Sequence, residues 1–187
     1  MRLIVGLGNV GVNFEGTRHN FGFDILNHFA AASSIVWQVK DKFKSVVAEA
    51  TLDGQKVLLA KPLTYYNLSG DAVRALKDFY KLENSDILVV HDELALPFGT
   101  IRTRSAGSDA GNNGVKSIVA SLGQDVPRLR LGIANERSAN QDAADFVLGQ
   151  FTGYEREQLP QVKSESMRLV NTFIQQGRLP NTSWHVS

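Results

Sequence analysis

A histidine and an aspartate have the residue types and positions that acid–base catalysis requires. His19 lies in a Thr-Arg-His-Asn segment at residues 17–20, and histidine ordinarily changes charge near neutral pH. Asp92 follows the apolar run at residues 87–90, where a carboxylate beside the protein interior needs a partner. A carboxylate that accepts a hydrogen bond from one imidazole nitrogen leaves the other nitrogen free to accept a proton. Because no serine nucleophile is evident nearby, the pair predicts activation of water, although His19 alone would equally suit a structural role.

Three asparagines beside predicted turns supply groups that can hold a polar substrate. Asn9 follows a strand-like run, Asn67 precedes a predicted helix, and Asn113 lies in a glycine-flanked turn before another helix. An amide side chain both donates and accepts hydrogen bonds, so it can hold a peptide or ester group without competing for its proton. Asn67 and Asn113 could equally cap the helices that follow them, and both interpretations stay open.

The elements that must position these residues alternate between strand and helix. Apolar and alternating patterns predict strands at residues 3–5, 45–51, 56–60, 86–90, 100–104 and 128–133. Helical periodicity covers residues 19–32, 70–82, 114–122, 143–148 and 154–176. Crossovers and a hairpin around Asp53-Gly54 indicate an α/β domain with a mixed sheet. Ligands of such sheets bind at the carboxyl ends of strands, so Asn9 and Asp92 are expected to face one crevice, with Glu93 turned away.

Length and composition bound the class of protein. A chain of 187 residues with 43% hydrophobic side chains fits a single domain over residues 1–187, with a loose C-terminal tail at residues 179–187. It has no cysteine, and its four histidines lack metal-ligand spacing, so we expect no disulfide, metal or cofactor. No apolar run approaches the length of a membrane span. We therefore expect a cytoplasmic protein without a membrane partner, and a monomer because no long apolar stripe is unpaired.

Positive charge is concentrated in one part of a nearly neutral chain. The net charge of +1 argues against a protein that coats nucleic acid. Residues 101–137, however, carry six basic against three acidic side chains: Arg102, Arg104, Lys116, Arg128, Arg130 and Arg137 against Asp109, Asp125 and Glu136. The excess indicates either solvated strand ends or a local basic surface.

The glycine turn after the first strand formally matches a dinucleotide-binding fingerprint. Residues 6–11 read Gly-Leu-Gly-Asn-Val-Gly, which has the required spacing. In a dinucleotide site a helix opens at the turn and an acidic residue ends the next strand. Here an interrupted loop follows, and Asp24, the nearest acidic candidate, falls inside a predicted helix. Nucleotide-dependent oxidoreduction is therefore a weak alternative.

Along nearly its whole length the chain resembles the bacterial-type peptidyl-tRNA hydrolase family. The segments that carry the resemblance, in the family's order and approximate spacing, are residues 3–9 (LIVGLGN), 17–20 (TRHN), 61–70 (KPLTYYNLSG), 91–99 (HDELALPFG) and 128–133 (RLRLGI). The resemblance implies a single α/β domain, a twisted mixed β-sheet surrounded by helices. The implied reaction is hydrolysis of the ester between a peptide and the 3′ ribose of tRNA, which recycles tRNA from prematurely released peptidyl-tRNA.

The resemblance also implies a role for each candidate residue. His19 would be the base that activates water, Asp92 the partner that keeps it basic, and Asn9 a residue beside the scissile ester. Neither metal nor cofactor would be needed. The implied binding residues for the peptide and the tRNA end are Asn67, Asn113, Phe14 and Tyr65, and those for tRNA phosphates are Arg102, Arg104 and Arg130.

Several positions differ from the residues usual in the family, among them residues 134–136 (Ala-Asn-Glu), which stand for Gly-Arg-Pro. Val10 stands for proline, Phe14 for tyrosine, Tyr66 for methionine and Asn112 for histidine. Phe14 lacks a hydroxyl that could bond the tRNA end, and Asn112 cannot titrate. The alternative to a working hydrolase is a non-catalytic RNA-binding relative with the same fold, but all the catalytic candidates are present in the sequence.

Overall fold

A mixed β-sheet with helices on both faces forms the middle of the molecule. The computed structural model describes residues 1–186, and within them the strands are β1 (Arg2–Gly6), β2 (Gln38–Lys40), β3 (Ser45–Leu52), β4 (Gln55–Pro62), β5 (Ile87–Pro97), β6 (Thr100–Arg104), β7 (Arg128–Ala134) and β8 (Ser183–His185). The helices of the same residues are α1 (Phe21–Ala32), α2 (Ser69–Tyr80), α3 (Asn113–Leu122), α4 (Ala143–Val147) and α5 (Gly153–Gln176). The periodic patterns correctly predicted the helices and every strand except β2 and β8.

The sheet is parallel at its centre and antiparallel at both edges. Its strand order is β2-β3-β4-β1-β5-β7-β6-β8. β4, β1, β5 and β7 run parallel, whereas β2 and β3 on one side and β6 and β8 on the other pair antiparallel to their neighbours. Asp53 and Gly54 join β3 to β4 with φ angles of 47° and 80°, the left-handed pair that suits a two-residue hairpin turn. The predicted mixed α/β sheet is thus confirmed.

Each face of the sheet buries its own apolar cluster. On one face, Ile4, Leu88 and Leu131 pack with α1 and α5. On the other face, Val5 and Val89 pack with α2 and α3. The alternation of neighbouring residues between the two clusters follows from the two-residue repeat of a strand, so both faces of the central strands are apolar.

Close packing at Gly22 brings the start of α1 against the sheet. A Cβ on Gly22 would lie 2.3 Å from the carbonyl oxygen of Val90, so only glycine permits this approach. The amide of Leu7 donates to the same carbonyl at 2.9 Å. The turn that precedes α1, which contains His19, is therefore held beside the middle of β5.

Two boundaries differ from the sequence expectations. β5 does not end near residue 90 but continues to Pro97, so Asp92 lies inside the strand, where it pairs with Leu131. The prediction of a loose tail over residues 179–187 is wrong for residues 179–186. Ser183–His185 form β8 against β6, and Val186 is buried. A three-residue strand carries too short a pattern to be recognised, and its stability comes from pairing and packing.

Candidate active site

His19 and Asp92 are in direct contact. His19 lies in a short 3-10 turn, Arg18–Asn20, that leads into α1. Its Nδ1 lies 3.0 Å from Oδ2 of Asp92, whose side chain is 2% exposed while that of His19 is 15% exposed. With the proton on Nδ1, the imidazole donates to the carboxylate and its Nε2 is the acceptor. The contact has the geometry of a general base held by a buried carboxylate.

Two residues outside the predicted set complete the surroundings of Asp92. The Tyr66 hydroxyl donates to Asp92 Oδ1 at 2.9 Å, and its ring stacks on His19 with centroids 3.7 Å apart. Asn112 Nδ2 donates to the Tyr66 hydroxyl oxygen at 3.0 Å and to the backbone carbonyl of Asp92 at 3.2 Å. Burial, and next the charge of Asp92, raise the pKa of Tyr66 well above its usual value. Tyr66 therefore stays protonated and remains a donor at neutral pH.

The backbone of Asn9 is held by a reciprocal pair of hydrogen bonds. Its N–H donates to Oδ1 of Asn20 at 2.7 Å, and Nδ2 of Asn20 donates back to its carbonyl at 2.9 Å. Asn20 is buried and belongs to the same turn as His19. The turn therefore fixes Asn9 and His19 relative to each other. Sequence reasoning did not single out Asn20, because its position next to His19 gives no sign of this long-range contact.

A crevice of about 620 Å³ opens over the histidine–aspartate pair. Its lining includes Asn9, His19, Asp92 and Asn113. It also includes residues at the start and end of α4: Asp142, Ala143, Ala144, Val147 and Leu148. Asn9 and Asp92 do line one crevice, which also contains Asn113, although Asp92 lies inside β5 and not at its carboxyl end.

Neither Asn67 nor Asn113 caps a helix. The N-cap of α3 is Asn112, whose Oδ1 accepts from the Val115 amide at 3.0 Å, while Asn113 is the first residue inside the helix. The N-cap of α2 is Leu68, and the exposed Asn67 lies in the 3-10 turn Tyr66–Leu68 before it. The capping interpretation is thus wrong for both residues.

Phe14 and Tyr65 lie outside the residues that line the crevice. Tyr65 is 81% exposed and precedes the turn that contains Tyr66. Phe14 is half-buried at the end of a separate 3-10 turn, Val12–Phe14, in the loop after Asn9. Phe14 lies in the chain between the crevice residues Asn9 and His19, and Tyr65 precedes Tyr66, which contacts His19 and Asp92.

Glu93 also lines the crevice, which corrects the expectation that Asp92 alone would face it. Its Oε2 lies 3.0 Å from both Nε and a terminal nitrogen of Arg130. Because this carboxylate is buried, the Arg130 guanidinium supplies the charge partner that burial demands. Arg130, predicted from the resemblance to meet phosphate, is already engaged with Glu93.

The arginines of β6 and β7 share one face of the sheet. Arg102 lies opposite Arg130, and Arg104 lies opposite Arg128. Ile101 packs in the cluster of α1 and α5, so by alternation Arg102 and Arg104 point to the other face. Arg128 is buried and donates to the carbonyls of residues 107 and 108, and burial lowers its pKa, with Arg130 adding to the effect. Arg102, Arg104 and Arg130 are all partly exposed, and of these three Arg130 is the one paired with a carboxylate.

Residues 1–186 contain no group of three or more histidine, aspartate or glutamate side chains close enough to hold a metal ion. Among the helices of the same residues, none combines the length and the apolar character that a bilayer crossing requires.

Comparison with known proteins gives one consistent family. Residues 3–185 match the sequence profile described as Peptidyl-tRNA hydrolase. A peptidyl-tRNA hydrolase of Exiguobacterium sibiricum is 45% identical over 175 residues, covering 93% of this chain and 94% of that protein. One of Clostridium perfringens is 44% identical over 163 residues, covering 87% and 85%. The crystal structure of a peptidyl-tRNA hydrolase in complex with N-propanol superposes with a TM-score of 0.84 at 32% identity, covering 95% of this chain and 89% of the other.

Proposed function

Because the chain belongs to the peptidyl-tRNA hydrolase family, we propose that it hydrolyses the ester between a peptide and the 3′ ribose of tRNA, with His19 and Asp92 activating water. The observation that carries the proposal is the 3.0 Å contact between His19 Nδ1 and the buried Asp92 carboxylate at the floor of the crevice. The reaction recycles tRNA from peptidyl-tRNA that was released prematurely.

The chemical steps require one base and one acid, and the same imidazole serves as both. Nε2 of His19 takes a proton from water as the water oxygen attacks the ester carbonyl carbon. The tetrahedral intermediate collapses by breaking the bond to the ribose oxygen, and the imidazolium returns its proton to that oxygen. Asp92 stabilises the imidazolium between these steps. A positioned base of this kind accelerates a reaction by roughly 10² to 10⁴.

The amides of Asn9 and Asn113 are suited to holding the ester and the adjacent peptide group. Both line the crevice that contains His19, and Asn20 fixes the backbone of Asn9. An amide that donates to the developing oxyanion contributes roughly 10² to 10³ in rate. Asn67, Tyr65 and Phe14 lie outside the crevice lining, and we propose that they contact the rest of the peptide and the terminal base.

Selectivity for blocked substrates follows from desolvation. An unblocked aminoacyl-tRNA carries a charged amine where peptidyl-tRNA carries a neutral amide, and moving that charge into the crevice costs free energy unless a partner is provided. The two buried carboxylates of the crevice already have partners: Asp92 contacts His19 and Tyr66, and Glu93 is paired with Arg130. We therefore expect the free amine to find no unengaged buried carboxylate there.

The basic face of β6 and β7 is suited to the phosphates of tRNA. Arg102 and Arg104 supply the exposed charge, and such contacts give affinity without reading sequence. Arg130 forms an ion pair with Glu93, which lines the crevice, and would therefore connect this face with the crevice. All of these groups belong to one chain, so a monomer suffices for the proposed reaction. We propose that the reaction takes place in the cytoplasm.

The test is release of an N-acetylated amino acid from tRNA by the purified protein, with the unblocked aminoacyl-tRNA as the matched control. Rapid cleavage of the blocked ester and slow cleavage of the unblocked one are the expected results. Tight tRNA binding without cleavage of either ester would overturn the proposal and favour a non-catalytic RNA-binding protein.

A further inference from the structure

The ring of Tyr66 is closely packed. It stacks on His19 with the ring planes 24° apart. It also lies against Gly114, where a Cβ would come within 2.5 Å of the Tyr66 ring. The side chain is 6% exposed. The ring therefore has one position, and that position brings its hydroxyl to Asp92.

The hydrogen bonds that lead to His19 have a single possible direction. Asn112 Oδ1 accepts from the Val115 amide, so Nδ2 of Asn112 is the group that faces Tyr66. Because Nδ2 can only donate, the Tyr66 oxygen accepts from it and the hydroxyl hydrogen points to Asp92 Oδ1. Asp92 then receives a donor on Oδ1 and the imidazole of His19 on Oδ2. Asn112, at the start of α3, thus sets the donor and acceptor of each hydrogen bond between its own side chain and the His19 imidazole.

We propose that Tyr66, held by Asn112, is a positioning residue that keeps His19 unprotonated, and so active as a base, down to a lower pH than Asp92 alone would allow. The inference rests on the proposed function for its link to catalysis. The phenol donor spreads the negative charge of Asp92, and a carboxylate with less concentrated charge attracts a proton onto the neighbouring imidazole less strongly.

The other charged groups around His19 do not account for this effect. Glu93 lines the crevice but is paired with Arg130. Asp142, which also lines the crevice, accepts hydrogen bonds from the amides of Ala144 and Asp145 at the start of α4. His91, on β5, is buried, and burial lowers its pKa, so it is neutral. Asn112 Nδ2 also approaches Asp92 Oδ1, at 3.4 Å. The Tyr66 hydroxyl makes the shorter contact with the same oxygen, at 2.9 Å, and it can be removed alone.

Tyr66→Phe separates the hydroxyl from the ring, because phenylalanine keeps the stacking on His19. The matched control is Tyr80→Phe, which removes a hydroxyl that donates to Glu49 at 2.9 Å on another part of the surface. Two quantities are measured: the pH dependence of kcat and KM for hydrolysis of N-acetylated aminoacyl-tRNA, and the titration of the His19 imidazole nitrogens by NMR. A His19→Asn variant assigns the NMR signals.

In Tyr66→Phe we expect the acid limb of the kcat profile and the His19 titration to move upward together by about half a pH unit or more. KM should change less than twofold, and Tyr80→Phe should match the wild type. Asn112→Ser should move both curves in the same direction. Serine can still cap α3, but it does not reach Tyr66 with an amide donor.

Curves for Tyr66→Phe that overlay the wild type, or that move to lower pH, would overturn the inference. If Tyr66→Phe does not fold, the Asn112→Ser curves decide by the same criterion. If the wild type does not hydrolyse the ester, the proposed function fails, while the NMR titration still tests the effect of Tyr66 on His19.

Discussion

Asp92 accepts hydrogen bonds on both carboxylate oxygens, from His19 on one and from Tyr66 on the other. Such partners are what a carboxylate only 2% exposed requires, since an unpaired charge would not tolerate burial. At this scale the sequence suggested the pair His19 and Asp92 by residue type. It marked Tyr66 and Asn112 as positions that differ from the family, but it did not predict their contacts with Asp92, because the direction of a side chain depends on packing between distant segments.

Asp92→Asn tests the proposed function of the carboxylate. An amide in its place would keep the size of the side chain but lose the charge that stabilises the imidazolium, and it could hold His19 in the wrong tautomer. We expect kcat to fall by roughly 10² to 10⁴ with tRNA affinity unchanged. Single-turnover hydrolysis measures the loss, and a rate within about threefold of the wild type would argue against the role given to Asp92.

The elements that carry the site are joined by a buried ion pair. Arg18, next to His19, donates to Glu155 Oε2 at 2.8 Å, and both side chains are about 95% buried. The same glutamate accepts from the amide of Thr152 and from Asn135 Nδ2. Glu155 lies in the first turn of α5, where Thr152 is the N-cap. The turn of His19 is thus anchored to α5 as well as to β5.

Glu155→Gln should weaken this anchor. The substitution leaves Arg18 buried without a counter-charge, which typically costs about 3 to 5 kcal/mol of unfolding free energy. Glu165→Gln is the control on the same helix, because its Arg168 partner is 54% exposed and such pairs contribute about 1 kcal/mol or less. Denaturant unfolding of the two variants gives the comparison. Equal losses would show that the buried pair does not hold these elements together.

Most elements could be predicted from their periodicity, and the exceptions have a physical cause. α5 and the hairpin of β3 and β4 have long, regular patterns. β5 was predicted too short because His91, Asp92 and Glu93 interrupt its apolar run, yet all three are buried. Asp92 and Glu93 have partners from other segments, whereas His91 bonds through Nδ1 to the backbone carbonyl of Asp92. Burial of polar residues by partners far apart in sequence leaves no local pattern, so both the end of β5 and the network around Asp92 required the structure.

For the molecule as a whole, the distribution of charge matters more than its sum. The net charge is only +1, but the register of β6 and β7 gathers four arginines on one face. Arg130 is paired with Glu93, and Arg128 is buried and donates to backbone carbonyls. Arg102 donates to the Ser183 hydroxyl and Arg104 to the carbonyls of Thr103 and Thr182, but both are partly exposed. The sequence indicated the basic excess, whereas the burial and ion pairing of each arginine depend on tertiary contacts. Arg102 and Arg104 are the side chains that we expect to offer charge to an external phosphate.

Arg104→Ala should weaken tRNA binding and reduce its salt dependence. Loss of one phosphate contact lowers the slope of log K against log salt by roughly 0.7 to 0.9. Arg168→Ala is the matched control, since Arg168 is exposed on α5, which packs on the other face of the sheet. Titrations of tRNA at several salt concentrations measure both slopes. An unchanged slope for Arg104→Ala would place this side chain away from the phosphates.

The most direct measurement of the central claim is single-turnover hydrolysis of N-acetylated aminoacyl-tRNA by His19→Asn with enzyme in excess. Asparagine can still donate a hydrogen bond to Asp92, so the buried carboxylate keeps a partner and we expect the fold to be unchanged. The account predicts a rate at least roughly 10² below the wild type, with unchanged tRNA affinity and thermal stability. A rate close to that of the wild type would contradict it and would remove His19 from the activation of water.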